Sequence, residues 1–203
     1  SGAWIAAPPI LTQASQWSSL RIIAALLSAA DAGVFRVAVL ICMLMQLVKT
    51  SFATMAGPYL SRAAEAGDIA ELRKVVLLAG AIGIALASPV GAVALLAPEW
   101  VLSLFGDEFV NGALALQFLA IAELVNVLAG PLGIALIMQK RERVVLINEA
   151  AASLIGLMTA VLLLPSWGLA GAGLGLLIAS VIRNGANAVF VWFTAPTTKP
   201  ETV

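Results

Sequence analysis

Long apolar runs broken by short polar clusters are the governing pattern of the chain. Six such runs cover residues 3–27, 33–56, 74–97, 113–138, 144–165 and 169–193. Each is close to the roughly 20 residues that a helix needs to cross about 30 Å of hydrocarbon. Within the runs the apolar positions do not gather on one face, as they would in the amphipathic helices of a soluble bundle. The breaks carry turn or charge signals: Ser28 to Gly33, Pro58 to Lys74, Pro98 to Gly112, Gln139 to Arg143, and Pro165 to Gly168. The pattern predicts an all-α, polytopic membrane protein: a six-helix lobe over residues 1–195 and a short tail over 196–203.

Composition points the same way. Hydrophobic residues make up 62% of the 203 residues and charged ones 11%, against about 25% charged in soluble domains. Mean hydropathy is +1.04. The net charge is zero and His is absent, so no basic field suggests nucleic acid and the commonest general base and metal ligand is missing. A lone Cys42 builds neither a disulfide framework nor a zinc site. The serines lack a nucleophile-elbow pattern, and Gly171-Ala172-Gly173-Leu174-Gly175 lacks the strand and spacing of a nucleotide loop. No enzyme, cofactor or metal is expected. The start, Ser1-Gly2-Ala3-Trp4, has no basic region of the signal-peptide kind, and the chain reads as a piece of a longer protein.

Lysine and arginine in the breaks give an orientation. Arg62, Arg73 and Lys74 occupy the second break, Lys140, Arg141 and Arg143 the fourth, and Lys199 the tail. The first, third and fifth breaks have neither residue type and carry Asp31, Glu99, Asp107 and Glu108 instead. Both chain ends are then cytoplasmic, as an even number of spans requires. Asp68 as N-cap with Glu71 three residues on marks a helix start, expected to open a short amphipathic cytoplasmic helix before the third span. The stretch Glu99 to Asp107, with Trp100 and Phe105, is expected to lie along the outer interface.

Membrane helices meet at small residues. Gly171, Gly175 and Ala179 form a stripe of interval four in the sixth span, which Arg183 and Asn187 continue; Gly83, Ala87 and Gly91 do the same in the third, with Pro89 as a kink. Glu123 and Asn126 lie near the middle of the fourth span, with Gly130, Pro131 and Gly133 following. A carboxylate there costs roughly 2.5 kcal/mol or more and marks a functional site by default. Glu123 is either a cation or proton site, with Asn126, or a neutral structural carboxyl. The first span holds Gln13, Gln16 and Arg21, the second Arg36 and Lys49. Arg21 and Arg183, with Gln16, Asn187 and Arg36, are the cavity candidates, because an arginine fork in a wet cavity holds phosphate. The alternative is an internal ion pair, Arg183 with Glu123.

The order of short motifs resembles the second half of polysaccharide-biosynthesis flippases, the O-antigen (Wzx-type) transporters, in the superfamily that includes multidrug exporters and lipid II flippases. The motifs are Ser15-Gln16-Trp17-Ser18-Ser19-Leu20-Arg21, Asp31-Ala32-Gly33-Val34-Phe35, Pro58-Tyr59-Leu60-Ser61-Arg62, Gly67-Asp68, Leu104-Phe105-Gly106-Asp107-Glu108-Phe109, Asn148, and Gly168-Leu169-Ala170-Gly171-Ala172-Gly173. The resemblance implies a MATE-like fold of two six-helix lobes, with the second present here. It implies alternating access in the bacterial inner membrane, carrying an undecaprenyl pyrophosphate-linked oligosaccharide outward. A first lobe or partner subunit would complete the cavity. A multidrug or cation antiporter and a non-transporting membrane subunit are the other readings.

Overall fold

The protein is seen here in a computed structural model that describes residues 17–193, without the side chains of residues 49 and 52–54. Those residues are helical almost throughout. α1 is Trp17–Leu26, α2 Ala29–Glu65, α3 Ile69–Leu96, α4 Pro98–Ser103, α5 Ala113–Met138, α6 Glu142–Trp167 and α7 Leu169–Phe193, with a 3-10 turn at Asp107–Gly112 before α5. Five of these elements, α2, α3, α5 (with the 3-10 turn), α6 and α7, contain segments long and apolar enough to cross a bilayer. The chain is an all-α, multi-pass membrane protein. Residues 3–16 of the first expected span lie outside the described residues; its remainder is α1.

Several expected breaks shrink to single turns. The second break is a correction: α2 runs through Pro58 to Glu65. A proline within an apolar helix removes one backbone bond and adds a kink without ending the helix. At 1.5 Å per residue the 37 residues of α2 reach about 55 Å, well beyond the hydrocarbon. The separate amphipathic helix expected before the third span is absent. Asp68 caps as anticipated, accepting from the Glu71 N–H at 2.9 Å, but the helix it starts is α3 itself, unbroken to Leu96. Pro165 likewise lies inside α6, and the turn there is Gly168 alone. The stretch 98–112 is helical, as α4 and the 3-10 turn, with Trp100 and Phe105 exposed.

Capping chemistry explains where the helices stop. The Ser28 hydroxyl accepts from the Asp31 N–H at 3.0 Å to start α2. α2 ends on Gly67 at φ +67°, whose N–H reaches Ala64 O while that of Asp68 reaches Ala63 O; this is the Schellman arrangement. α5 ends the same way on Lys140 at φ +59°, with Lys140 N–H on Ile137 O and Arg141 N–H on Leu136 O. The last carbonyls of α7 are held by arginines from neighbouring elements. Arg73 donates to Trp192 O at 2.6 Å and lies 5.0 Å over the Trp192 ring. Arg141 donates to Phe190 O at 3.5 Å. Cations there also suit the negative end of the helix dipole.

α5 is the central strut, packed on α2 and α3 at one side and α7 at the other, and α6 leans chiefly on α7. Small residues set that closeness. A Cβ on Gly156 would come within 2.6 Å of Gly175 O, and one on Gly175 within 2.5 Å of Gly156 O. Gly80, Gly83 and Gly91 of α3 meet Leu128, Val127 and Leu124 of α5. The predicted stripes at 83, 87, 91 and at 171, 175, 179 are all buried. One apolar cluster holds Ile23, Phe35, Leu102, Leu116 and Leu164; another holds Leu60, Leu72, Leu136, Val145 and Val191. Along α5, α6 and α7 the buried polar residues, Glu123, Asn126, Glu149, Ser180, Asn184 and Asn187, fall between these two clusters.

Candidate functional site

α7 contributes Ser180, Arg183, Asn184 and Asn187, whose spacing of three, four and seven puts them on one helical face. Three of them are buried outright, Ser180, Asn184 and Asn187. Their main counterpart is Asn126 of α5. Its side-chain oxygen accepts from Asn184 Nδ2 at 2.9 Å and from an Arg183 terminal nitrogen. The Ser180 hydroxyl is 2.7 Å from that oxygen and 3.0 Å from Ala122 O. Without such partners each of these groups would carry the cost of a polar group in an apolar medium.

The other Arg183 terminal nitrogen lies 3.0 and 3.2 Å from the two carboxylate oxygens of Glu149 on α6. The side chains of the pair are 15% and 6% exposed, so the ion pair is a buried one. Ser153, one turn on, donates to Glu149 at 3.4 Å. Nearby, Asn148 donates to Asn187 at 2.8 Å. A second carboxyl, Glu123 of α5, is 8% exposed. Its Oε1 accepts from Gln46 of α2 at 3.0 Å, while its buried Oε2 has no hydrogen-bond partner among the described residues. A cavity of about 50 Å³ opens between these groups, lined by Gln46, Glu123, Asn126, Glu149, Ser153 and Arg183 among others. It accommodates a water and is far too small for a saccharide.

Three of the sequence candidates therefore come together on one cavity, Glu123, Asn126 and Arg183, while Asn187, one turn beyond Arg183, pairs with Asn148. The ion-pair alternative for Arg183 is realised with a different partner, Glu149 in place of Glu123. Both terminal nitrogens of Arg183 are engaged inside the bundle, on Glu149 and Asn126. Arg21 and Arg36 lie elsewhere. Arg36 sits 5.5 Å over the ring of Trp17, which is 58% exposed; Arg21, one turn along α1 from Trp17, is exposed. Gln16 falls outside the described residues, and so does the side chain of Lys49. Sequence reasoning missed Glu149, Ser180, Asn184 and Gln46. Glu149 had a signal: it shares a face with Ala152, Gly156 and Ala160, all buried, the last two against α7.

Among the described residues no group of three or more Asp, Glu, Cys or His is placed to hold a metal ion. No family model matches the chain, and neither a curated protein nor a solved structure matches it.

Proposed function

We propose that this chain is one lobe of a transporter that flips lipid-linked oligosaccharides across the bacterial plasma membrane by alternating access. Two arguments support the reading. The first is the flippase-like motif order along the sequence. The second, which carries most weight, is the face made by the exposed Trp17 and Arg21 with the half-buried Arg36 over the Trp17 ring, on otherwise apolar helices. An arginine facing hydrocarbon costs about 2.5–3.5 kcal/mol or more, so such a face belongs against a wet cleft or a polar partner. A pyrophosphate headgroup supplies the anion that two guanidinium forks favour, and an exposed indole gives a sugar ring a flat surface to lie on. The cleft would be closed by a first lobe, from the same longer chain or from a partner subunit. The basic residues around the α2–α3 and α5–α6 turns, Arg62, Arg73 and Lys74 and Lys140, Arg141 and Arg143, favour cytoplasmic placement of that side and of both ends.

The test is a leaflet-translocation assay in proteoliposomes made with the full-length natural product. A fluorescent undecaprenyl pyrophosphate saccharide should cross at a rate that falls at least tenfold in Arg21→Ala/Arg36→Ala. Absence of translocation, or a rate indifferent to both arginines, defeats the reading. The unpartnered Oε2 of Glu123 favours a second one, a cation-coupled exporter of small molecules; there Glu123→Gln would abolish drug efflux and leave no lipid flipping to lose.

A further inference from the structure

α6 leans chiefly on α7, which leaves a broad side of it open. From 144 to 164 every exposed residue is apolar, Ile147, Leu154, Ile155, Met158 and Leu162 foremost. Arg143 belongs to the same side: Ile147, Ala150 and Leu154 follow it by four, seven and eleven residues, which is one helical face. At the far end of the helix Trp167 is exposed. Arg143 and Trp167 are 24 positions apart, about 36 Å along a helix axis, so they bracket the roughly 30 Å of hydrocarbon. A guanidinium at one rim and an indole at the other are the anchors of a helix that faces lipid. Helices in a bilayer meet one another at small residues. Those of α6 at interval four, Ala152, Gly156 and Ala160, are buried, the last two against α7. The open side is bulky, and its alanines, Ala150 and Ala151, stand side by side and form no stripe.

The two rims differ in charge. From 140 to 143 the chain carries Lys140, Arg141 and Arg143 against one acid, Glu142. Arg141 is buried and donates to Phe190 O. Lys140 and Arg143 are exposed, three residues apart across the turn. No Lys or Arg occurs from 144 to 182, so α6 brings no cation to the Trp167 rim. The other basic turn is offset by acids: Arg62, Arg73 and Lys74 face Glu65, Asp68 and Glu71 in the same stretch, and Lys74 lies 3.4 Å from Glu71. We propose that the α5–α6 turn and the open side of α6 form a binding site for an anionic phospholipid, with its headgroup on Lys140 and Arg143 and an acyl chain along Ile147, Leu154 and Met158. Basic residues at a bilayer surface draw anionic lipid in preference to zwitterionic lipid, and two adjacent cations hold phosphate by charge-assisted hydrogen bonds. The site is independent of what the lobe transports and requires that α6 cross the bilayer.

Lys140 offers a substitution that separates binding from folding. It stands at φ +59°, a conformation that glycine adopts freely, so Lys140→Gly removes the ammonium and leaves the turn at least as stable. The measurement is native mass spectrometry of the full chain in detergent, titrated with phosphatidylglycerol or phosphatidylcholine of equal acyl chains. At low salt phosphatidylglycerol should bind about tenfold more tightly. That preference should fall to about threefold in Lys140→Gly and vanish in Lys140→Gly/Arg143→Gln. Arg62→Gln/Lys74→Gln, at the turn offset by acids, should keep it. Equal binding of the two lipids overturns the proposal, as does a preference that survives Lys140→Gly/Arg143→Gln or is lost in Arg62→Gln/Lys74→Gln. Glycerophosphoglycerol, the headgroup without chains, should fail to displace the lipid at equal concentration; displacement would mean a site for a soluble anion and defeats the lipid assignment. Crosslinking of Leu154→Cys to a second copy in membranes would mean that protein covers this face, and defeats it too. Arg143→Gln alone, expected to lower the preference by the same factor, decides the matter should Lys140→Gly melt earlier than wild type.

Discussion

The side-chain oxygen of Asn126 gathers Ser180, Arg183 and Asn184 from one face of α7, so its removal strands several donors at once. Each orphaned buried polar group costs about 1–3 kcal/mol. Asn126→Leu is expected to lower unfolding free energy by about 3 kcal/mol or more, measured by denaturant titration in mixed micelles. The Asn148–Asn187 pair behaves differently, because the two satisfy one another. Either single Leu variant should destabilise. The double variant should recover to within about 1 kcal/mol of wild type, since replacing both partners by apolar groups is nearly neutral. At this scale the sequence announced the right problem and part of the answer. Glu123, Asn126 and Arg183 are conspicuous because ionisable or amide groups in apolar runs are rare. The partner of Arg183 was less visible: Glu149 comes less than two turns after Arg143, where a charge passes for part of the polar break. Ser180 and Asn184 are ordinary polar residues until the tertiary structure aims them at one oxygen.

Between elements, the α6–α7 contact is the tightest. At Gly156 any side chain would enter the backbone of Gly175 and the Ala179 methyl. Gly156→Val should push α6 from α7 and cost about 3 kcal/mol or more, seen as a lower melting temperature in detergent and loss of the Arg183–Glu149 pairing. At Gly185 a Cβ would meet nothing within 4 Å. Gly185→Ala should raise the melting temperature slightly, by the roughly 0.5–1 kcal/mol of helix propensity it gains. The stripes of small residues were readable as packing faces, since interval four keeps residues on one side of a helix. Helix ends were less legible, because a proline in an apolar run can kink a helix without ending it. Pro58 and Pro165 sit inside helices, whereas the actual stops are left-handed residues, Gly67, Lys140 and Gly168; lysine gives no sequence hint of that conformation.

For the molecule as a whole, five of the six expected spans were legible because length and apolarity dictate them with no knowledge of partners, while the arrangement of those spans depends on contacts that no local pattern records. The proposed orientation has a direct test. Single cysteines placed at Arg143, in the first turn of α6, and at Asp107, at the start of the 3-10 turn, should be labelled by an impermeant maleimide from the cytoplasmic and outer faces respectively. The native Cys42 is buried and should add little background; the reverse labelling would invert the topology. The shared acceptor at Asn126 also limits how the lobe can move. Sliding α7 by one turn against α5, a ratchet of about 5.4 Å, would tear three donors from a single atom with nothing to receive them. Those two helices, with α6 clamped to α7 and α3 to α5 through glycine, are thus bound to travel as a single block.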